Sequence, residues 1–212
     1  MDIVPACHPF QEPMPDTPSS SPLHLPTELA AFSDLATRRR TSLLMDRERP
    51  VPGELVTRLC RLATWAPNHK KTWPWRFAVL TGDSRARLGE LTCEQLIDEG
   101  VTDETKLVKA LGKYMRSPTV VMVAAAAHDN PDLHRENRDA VAAAVQTFLL
   151  GATAAGLASF WASGAPLRSS AVRELCGFDA TDRIVALVYL GWPNGEVELP
   201  KRPEPVIHFI VD

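Results

Sequence analysis

Two kinds of apolar spacing run through this chain, and they separate predicted helices from predicted strands. Apolar residues three and four positions apart predict helices that begin near Thr27, Pro52, Ser84 and Thr102, with a brief one near Ser169 or Ser170. Runs of consecutive apolar residues predict buried strands over 75–80, 118–127 and 184–190. Two shorter strands are expected at 159–161 and 206–211.

The longest predicted helix covers residues 135–157. Between Ala140 and Ala155 it is apolar on nearly every side, so we expect it to be a central, buried helix. Many of its residues are alanine or glycine, which allows another backbone or a flat ligand to approach closely. Gly156 is expected to end the helix.

The order of these elements indicates the fold class. Two consecutive helices separate the first two strands, so the chain lacks a regular βαβ rhythm. This favours an α+β fold, a central sheet with helices packed on it, over a doubly wound sheet. Residues 1–26 are rich in proline and serine and are expected to form a flexible arm, whereas residues 27–212 are expected to form one domain.

Composition and charge exclude several classes of function. The net charge of −3 argues against a broad nucleic-acid surface, which would need a dominant basic face. No apolar run approaches the roughly 20 residues that cross a bilayer, and residues 1–26 lack the pattern of a signal peptide. The four cysteines are far apart, which is typical of reduced thiols in a cytoplasmic protein and predicts no metal site.

The standard catalytic and cofactor motifs are missing from the sequence. It contains no G-x-G-x-x-G after a strand, no P-loop and no G-x-S-x-G elbow. No arrangement of paired carboxylates suggests acid–base catalysis either. Any cofactor would therefore have to be held in another way.

Four short segments carry residues that could bind a ligand. They are Arg38–Ser42, Trp65–His69 with the tryptophans that follow it, Trp161–Gly164, and the basic pair Lys201-Arg202. Arginine matches phosphate in charge and geometry, but cations also favour a helix end and stay solvated there. The other three segments could equally be buried aromatics, an ordinary turn and a charged tail, so no segment identifies a function alone.

Taken in order, these segments resemble the nitroreductase family, in particular its short single-domain members. The resemblance covers residues from about 30 to 202 and is carried by RRRT (38–41), PVPGEL (50–55), WAPNHKKTWPWRFAVLTG (65–82), SPTVVMVAA (117–125), AAAVQTFLLGATAAGLASFWASG (142–164) and IVALVYLGWP (184–193). It implies an α+β nitroreductase-like fold with a mostly antiparallel sheet. It also implies an obligate homodimer with two FMN sites at the subunit interface.

The resemblance implies which residues hold the phosphate end of FMN. Arg39, Arg40 and Thr41 match a segment that holds the flavin phosphate and pyrimidine side, with a register uncertain by one because three arginines are consecutive. Lys201 or Arg202 matches a late basic residue near the phosphate. A positive group near flavin N1 and O2 would stabilise the anionic reduced flavin, and Arg39 or Arg40 is the expected one.

A second set of residues is expected along the flavin ring. Trp161, Ala162 and Ser163 match the segment that runs along the isoalloxazine, and Trp65 and His69 match positions that line the flavin from the neighbouring subunit.

Two departures from the family pattern bear on details of flavin or substrate contacts. Leu43 and Leu44 stand where relatives often carry another arginine, and Thr147 follows Gln146 where an asparagine is common.

The resemblance implies a two-step reaction in which hydride passes from NADH or NADPH to flavin N5 and then to a planar electrophile such as a nitroaromatic or a quinone. The flavin carries the chemistry, so no protein acid or base is named. We expect Gly151 and Gly156 to lie near the nicotinamide. The alternatives are reductive dehalogenation or flavin fragmentation on the same fold, and a non-catalytic flavin-binding dimer.

Overall fold

A computed structural model describes residues 26–211, so all but the last residue of the expected arm over 1–26 lies outside the described residues. The sheet has four antiparallel strands in the order β1-β2-β4-β3. The strands are β1 Trp75–Leu80, β2 Thr119–Ala125, β3 Ala158–Ala162 and β4 Arg183–Gly191. The α+β class and the antiparallel sheet are thus confirmed.

Six α-helices and three short 3-10 turns pack around this sheet in the described part of the chain. The helices are α1 Thr27–Arg38, α2 Gly53–Ala63, α3 Asp83–Asp98, α4 Glu104–Gly112, α5 Pro131–Ala154 and α6 Ser170–Leu175. The turns are His69–Lys71, Lys113–Arg116 and Ala165–Leu167.

Side chains that accept backbone N–H groups decide where several helices begin. The Asp103 carboxylate accepts from the N–H of Lys106, so Asp103 caps α4 where the sequence predicted Thr102. The Asn130 side chain accepts from two N–H groups, so α5 begins at Pro131, ahead of the predicted start. Ser169 caps α6, which settles the choice between Ser169 and Ser170.

Strand β2 forms the centre of the molecule because all seven of its residues are buried. Its residues alternate between two cores. Val121 and Val123 face α2 and α5, whereas Val120 and Met122 face α3 and α6. Helices therefore cover both faces of the sheet, and this explains the apolar run without alternation that the sequence shows.

The long helix α5 is buried on one side only within this chain. Val141, Val145 and Phe148 lie in the core against the sheet and α2, as predicted. On the other side Gln146 is exposed, and Leu150 is only partly covered. The prediction of a central, buried helix is therefore met only in part by a single chain, because Gln146 and Ala154 are exposed within residues 140–155.

The C-terminal segment does not form the predicted strand at 206–211. Residues 192–211 follow β4 without regular strand pairing in the described chain, apart from an isolated bridge at Pro193. Val206, Phe209 and Ile210 are 84%, 86% and 93% exposed. A strand needs a neighbouring strand for its hydrogen bonds, and this segment has none among residues 26–211.

Gly89 on α3 is expected to be required for the close packing of α3 on α4. A Cβ at Gly89 would overlap the backbone carbonyl of Leu111, which cannot rotate away as a side chain can. We expect Gly89→Ala to lower the free energy of unfolding by about 1–3 kcal/mol, the usual cost of overpacking. Chemical denaturation would measure it, with Gly112→Ala on α4 as the control because a Cβ there meets nothing within 4 Å. Equal stability of the two variants would contradict this packing.

Candidate functional site

A pocket of about 830 Å³ forms where the end of α1 meets the C-terminal segment and α5. Its charged wall consists of Arg39 and Arg40 from the segment after α1 and Arg202 from the C-terminal segment. The rest of the lining comprises Asp34, Ala36, Thr37, Arg38, Gln146, Leu199 and Pro200. We call this the arginine pocket.

The electrostatics of the arginine pocket favour an anionic ligand. Partial burial lowers the pKa of the Arg39 guanidinium, and the nearby charges of Arg202 and Arg40 lower that pKa further. Among residues 26–211, none of these three arginines pairs with a carboxylate. Three like charges that repel one another would be stabilised by a bound phosphate, which accepts several charge-assisted hydrogen bonds.

Two further contacts indicate which arginines are available. Arg38 donates to Asp34 at 2.8 Å one helical turn earlier, so its charge is already paired. The Nε of Arg40 is buried and has no hydrogen-bond partner in the described chain, although its Nη1 donates to the Arg39 carbonyl at 2.6 Å. A buried donor without a partner is costly, and a ligand oxygen would satisfy it. The geometry favours the register that assigns Arg39 and Arg40 to the ligand.

Backbone pairing brings the basic segment beside strand β3. Thr41 forms a parallel bridge with Ser159, and the Ser42 N–H donates to the Ser159 carbonyl at 3.0 Å. Trp161 and Ala162 follow on the same strand, so the arginines and the W-A-S-G segment lie along one edge of the sheet. The fold therefore unites two candidate segments that are more than 100 residues apart in sequence.

The turn after β3 is exposed and contains a glycine with a positive φ. Trp161 and Ser163 are exposed, and Gly164 has φ +127°, a conformation that a residue with a Cβ rarely adopts. The 3-10 turn Ala165–Leu167 follows directly. Small residues here keep the backbone amides accessible.

Trp65 and His69 lie away from the arginine pocket of their own chain. His69 contacts Glu136 near the start of α5, and Gln146 of the pocket lies ten residues further along that helix. At 1.5 Å per residue this separation is about 15 Å along the axis. Trp65 follows α2 and is 85% exposed. A contribution of both residues to the site of a second copy stays a prediction.

The remaining predicted residues have clear positions. Arg202 lines the arginine pocket and Lys201 is exposed outside its lining, so the geometry favours Arg202 of the two.

A Cβ on Gly151 would lie 2.9 Å from Leu62 and 3.0 Å from Leu59, so this glycine lets α5 pack closely on α2. Gly156 has φ +74° and ends the turn after α5. A place near the nicotinamide stays a prediction for both glycines.

Sequence patterns missed residues both at the arginine pocket and beside His69. Asp34 and Leu199 line the arginine pocket, and Glu136 binds His69 across 67 positions of sequence. Asp34 has a local signal, because an acid four residues before Arg38 on a helix predicts an ion pair. No local pattern indicates the partner of His69.

The thiols and metal-binding side chains contribute no further site in the described chain. Burial raises the pKa of the Cys60 thiol to about 11 and that of Cys176 to about 12, so both stay protonated at neutral pH. Residues 26–211 contain no cluster of three His, Cys, Asp or Glu side chains that could hold a metal ion. Within the same residues, no helix is both long and apolar enough to cross a membrane.

Comparison with known proteins agrees with this geometry. The model of the Nitroreductase family matches residues 36–192, so the chain belongs to the nitroreductase family. The chain is 34% identical over 166 residues to "Putative NAD(P)H nitroreductase YdjA" of Escherichia coli strain K12, covering 77% of this chain and 88% of that protein.

Solved structures share the fold. A nitroreductase-like family protein from Bacillus cereus has a TM-score of 0.70 at 24% identity, over 82% of this chain and 90% of that one. The FMN-dependent nitroreductase NfnB from Mycobacterium smegmatis, solved with NADPH, has a TM-score of 0.62 at 22% identity, over 83% and 96%. The nitroreductase-like fold expected from the sequence is confirmed.

We expect pyrophosphate to stabilise the protein through the arginine pocket. A ligand that binds only the folded state at about ten times its Kd adds about 1.4 kcal/mol to the free energy of unfolding. Thermal unfolding would measure this as a rise in Tm over sodium chloride of equal ionic strength. The rise should be lost in Arg39→Ala/Arg40→Ala and kept in Arg58→Ala, which removes an exposed charge from α2. The same rise in all three proteins would show that the anion binds elsewhere.

Proposed function

We propose that this protein is an FMN-dependent oxidoreductase that takes hydride from NADH or NADPH. The observation that carries the proposal is the arginine pocket, in which three guanidinium groups face one cavity without a carboxylate partner in the described chain. The named relatives support the same class, since YdjA is described as an NAD(P)H nitroreductase and NfnB as FMN-dependent.

The residues present fit the phosphate end of FMN. Arg39, Arg40 and Arg202 supply planar charged donors, and the Arg40 Nε is a buried donor without a partner in this chain. Thr41 follows Arg40 and pairs with β3 but does not line the arginine pocket, so a role for its hydroxyl at the phosphate stays a prediction. Hydrogen bonds to charged groups contribute about 1.5–3 kcal/mol each, so two or three of them would anchor the cofactor.

The flat end of the cofactor has a matching surface on the same sheet edge. Trp161, Ala162 and Ser163 follow Ser159 along β3 and into the turn at Gly164. We assign these residues to the edge of the isoalloxazine ring. When bound, FMN supplies the hydride chemistry between the nicotinamide and the acceptor. The chain's tasks are to orient the ring and to place positive charge at its pyrimidine side, where Arg39 or Arg40 would stabilise the reduced form.

We also propose that the active species is a homodimer, with Trp65 and His69 of each copy facing the flavin of the other. Three apolar surfaces of the single chain support this arrangement: α1 with Phe32 exposed, the uncovered face of α5, and the C-terminal segment with Phe209 and Ile210 exposed. Fully burying one large apolar side chain contributes about 1.5–3 kcal/mol. A second copy that covered these surfaces would also complete the site.

The acceptor that we propose is a planar electrophile such as a nitroaromatic or a quinone, because a bound flavin would present a flat ring and we assign no acid or base of the chain to the site. Cys60, Cys93 and Cys176 are free thiols, which supports a cytoplasmic location.

The purified protein should be yellow and carry about one FMN per chain. Its flavin absorbance near about 450 nm should bleach when NADH or NADPH is added without oxygen, and should return with a quinone or nitroaromatic. Visible spectroscopy during an anaerobic titration would measure this. A colourless protein that takes up no FMN would contradict the proposal, and a bound flavin that no nicotinamide reduces would favour a flavin-binding protein without catalysis.

The C-terminal segment should be needed for dimer formation. Val206→Asp/Phe209→Asp places two charges where we expect a second copy, so light scattering after size exclusion should show monomers. FMN should be lost with the dimer because each site draws on both copies. Val108→Asp on α4 is the control, since Val108 is also exposed, at 67%, and α4 packs on α3 without lining the arginine pocket. A double variant that stays dimeric and yellow would rule out this role for the segment.

A further inference from the structure

The segment Asn68–Trp73 has a strained backbone. Lys70, Lys71 and Trp73 have φ values of 58°, 52° and 50°, in the left-handed region that residues with a Cβ rarely adopt. Three such residues within four positions are costly, and they persist only where surrounding contacts enforce them. The contacts that keep these three residues in this conformation therefore indicate which side chains the segment fixes in position.

One set of contacts fixes the segment to itself and to the core. The Asn68 side chain accepts from the Trp73 N–H at 2.9 Å and donates to the Thr72 hydroxyl at 2.9 Å. Thr72 in turn donates to the Asn137 side chain on α5, and Asn137 donates to the Ala126 carbonyl at 3.1 Å. Asn137 is buried, so this chain of hydrogen bonds ties the segment to the rigid part of the fold.

A second contact fixes the His69 ring. Its Nδ1 lies 2.6 Å from Glu136 Oε2, and Glu136 is the residue before Asn137 on α5. A carboxylate can only accept, so the Nδ1 atom carries the hydrogen and Nε2 is left for another partner. His69 Nε2 makes no hydrogen bond within residues 26–211. The His69 side chain is 58% exposed, so without Glu136 the ring would sample several rotamers.

We propose that Glu136 is a positioning residue for His69: it holds the imidazole in one orientation and one tautomer, with Nε2 presented outward to the flavin of a second copy. The inference rests on the proposed function, because it needs an FMN that a second copy holds opposite this segment. A ring fixed before binding loses less conformational freedom when the ligand arrives, and so the ligand binds more tightly. The strained segment has the same effect, since it fixes the backbone that carries the ring.

The other charged groups near His69 do not share this role. Asp139 lines the same shallow recess as His69 and Glu136, but its Oδ1 forms an ion pair with Arg138 Nη1 at 3.3 Å. Lys70 and Lys71 are exposed and form no ion pair among the described residues. Asp139→Asn is therefore a matched control: it removes a carboxylate from the same helix and the same recess without touching His69.

The test compares Glu136→Ala, Glu136→Gln and Asp139→Asn in the full chain. Glu136→Ala should weaken FMN binding about tenfold, as expected for one misplaced hydrogen bond between His69 Nε2 and the flavin, measured by quenching of flavin fluorescence. Glu136→Gln keeps an oxygen that accepts from Nδ1 and should bind FMN within about threefold of the unchanged protein. Asp139→Asn should leave the Kd unchanged. In a His69→Ala background, Glu136→Ala should have no further effect, because Glu136 acts through His69.

A second readout does not depend on bound FMN. Nitrogen-15 NMR of the FMN-free protein should show the His69 Nδ1–H tautomer, and a mixture of tautomers in Glu136→Ala. The inference is overturned if Glu136→Ala binds FMN as the unchanged protein does, or if His69 carries its proton on Nε2 alone. If the unchanged protein binds no FMN, the proposed function fails. If it binds FMN but Glu136→Ala binds FMN equally well, only the role of Glu136 fails, so the two failures can be told apart. Equal losses in Glu136→Ala with and without His69 would mean that Glu136 only stabilises the fold.

Discussion

The repulsion among Arg39, Arg40 and Arg202 is the constraint on which the candidate site depends. Folding brings these charges to one pocket, and no carboxylate of the described chain neutralises any of the three. The lowered pKa of Arg39 reflects this repulsion, because burial and the charges of Arg202 and Arg40 all disfavour the charged guanidinium. A bound phosphate would attract all three arginines. The arrangement that opposes folding of the ligand-free chain would therefore favour binding of an anion.

The sheet supplies the rigidity that this arrangement needs. Strand β2 is buried along its whole length, and helices cover both faces of the sheet. Strand β3 lies at the sheet edge, and the bridge between Thr41 and Ser159 attaches the arginine segment to it. The pocket is thus built on one edge of a well-packed core, while the C-terminal segment that adds Arg202 continues onward as an exposed apolar chain.

The sequence predicts most elements because their signals are local. The apolar runs that form β1, β2 and β4, and the spacing along α2 and α3, reflect burial against the nearest core. The strand expected at 206–211 is wrong for the single chain because its apolar residues indicate burial but not by which neighbour. The exposure of Gln146 on α5, a helix predicted to be buried, has the same reason. Periodicity shows that a surface must be covered and cannot show that a second copy would cover it.

The candidate site is predictable only in part for a related reason. Arg39, Arg40 and the W-A-S-G segment stand out by residue type, and the family resemblance orders them. The choice of Arg202 over Lys201 depends on which side chain reaches the pocket. The bonds from His69 to Glu136 and from Thr72 to Asn137 join positions 67 and 65 residues apart. Such contacts depend on how the segment folds onto α5, and no local pattern carries that information.

A crystal structure of the full chain with FMN bound is the most direct test of the central claim. The account predicts a dimer with the FMN phosphate in the arginine pocket, within hydrogen-bonding distance of Arg202 and of at least one of Arg39 and Arg40, and with the isoalloxazine edge along Trp161 to Ser163. A phosphate held elsewhere, with these three arginines facing only solvent, would contradict it.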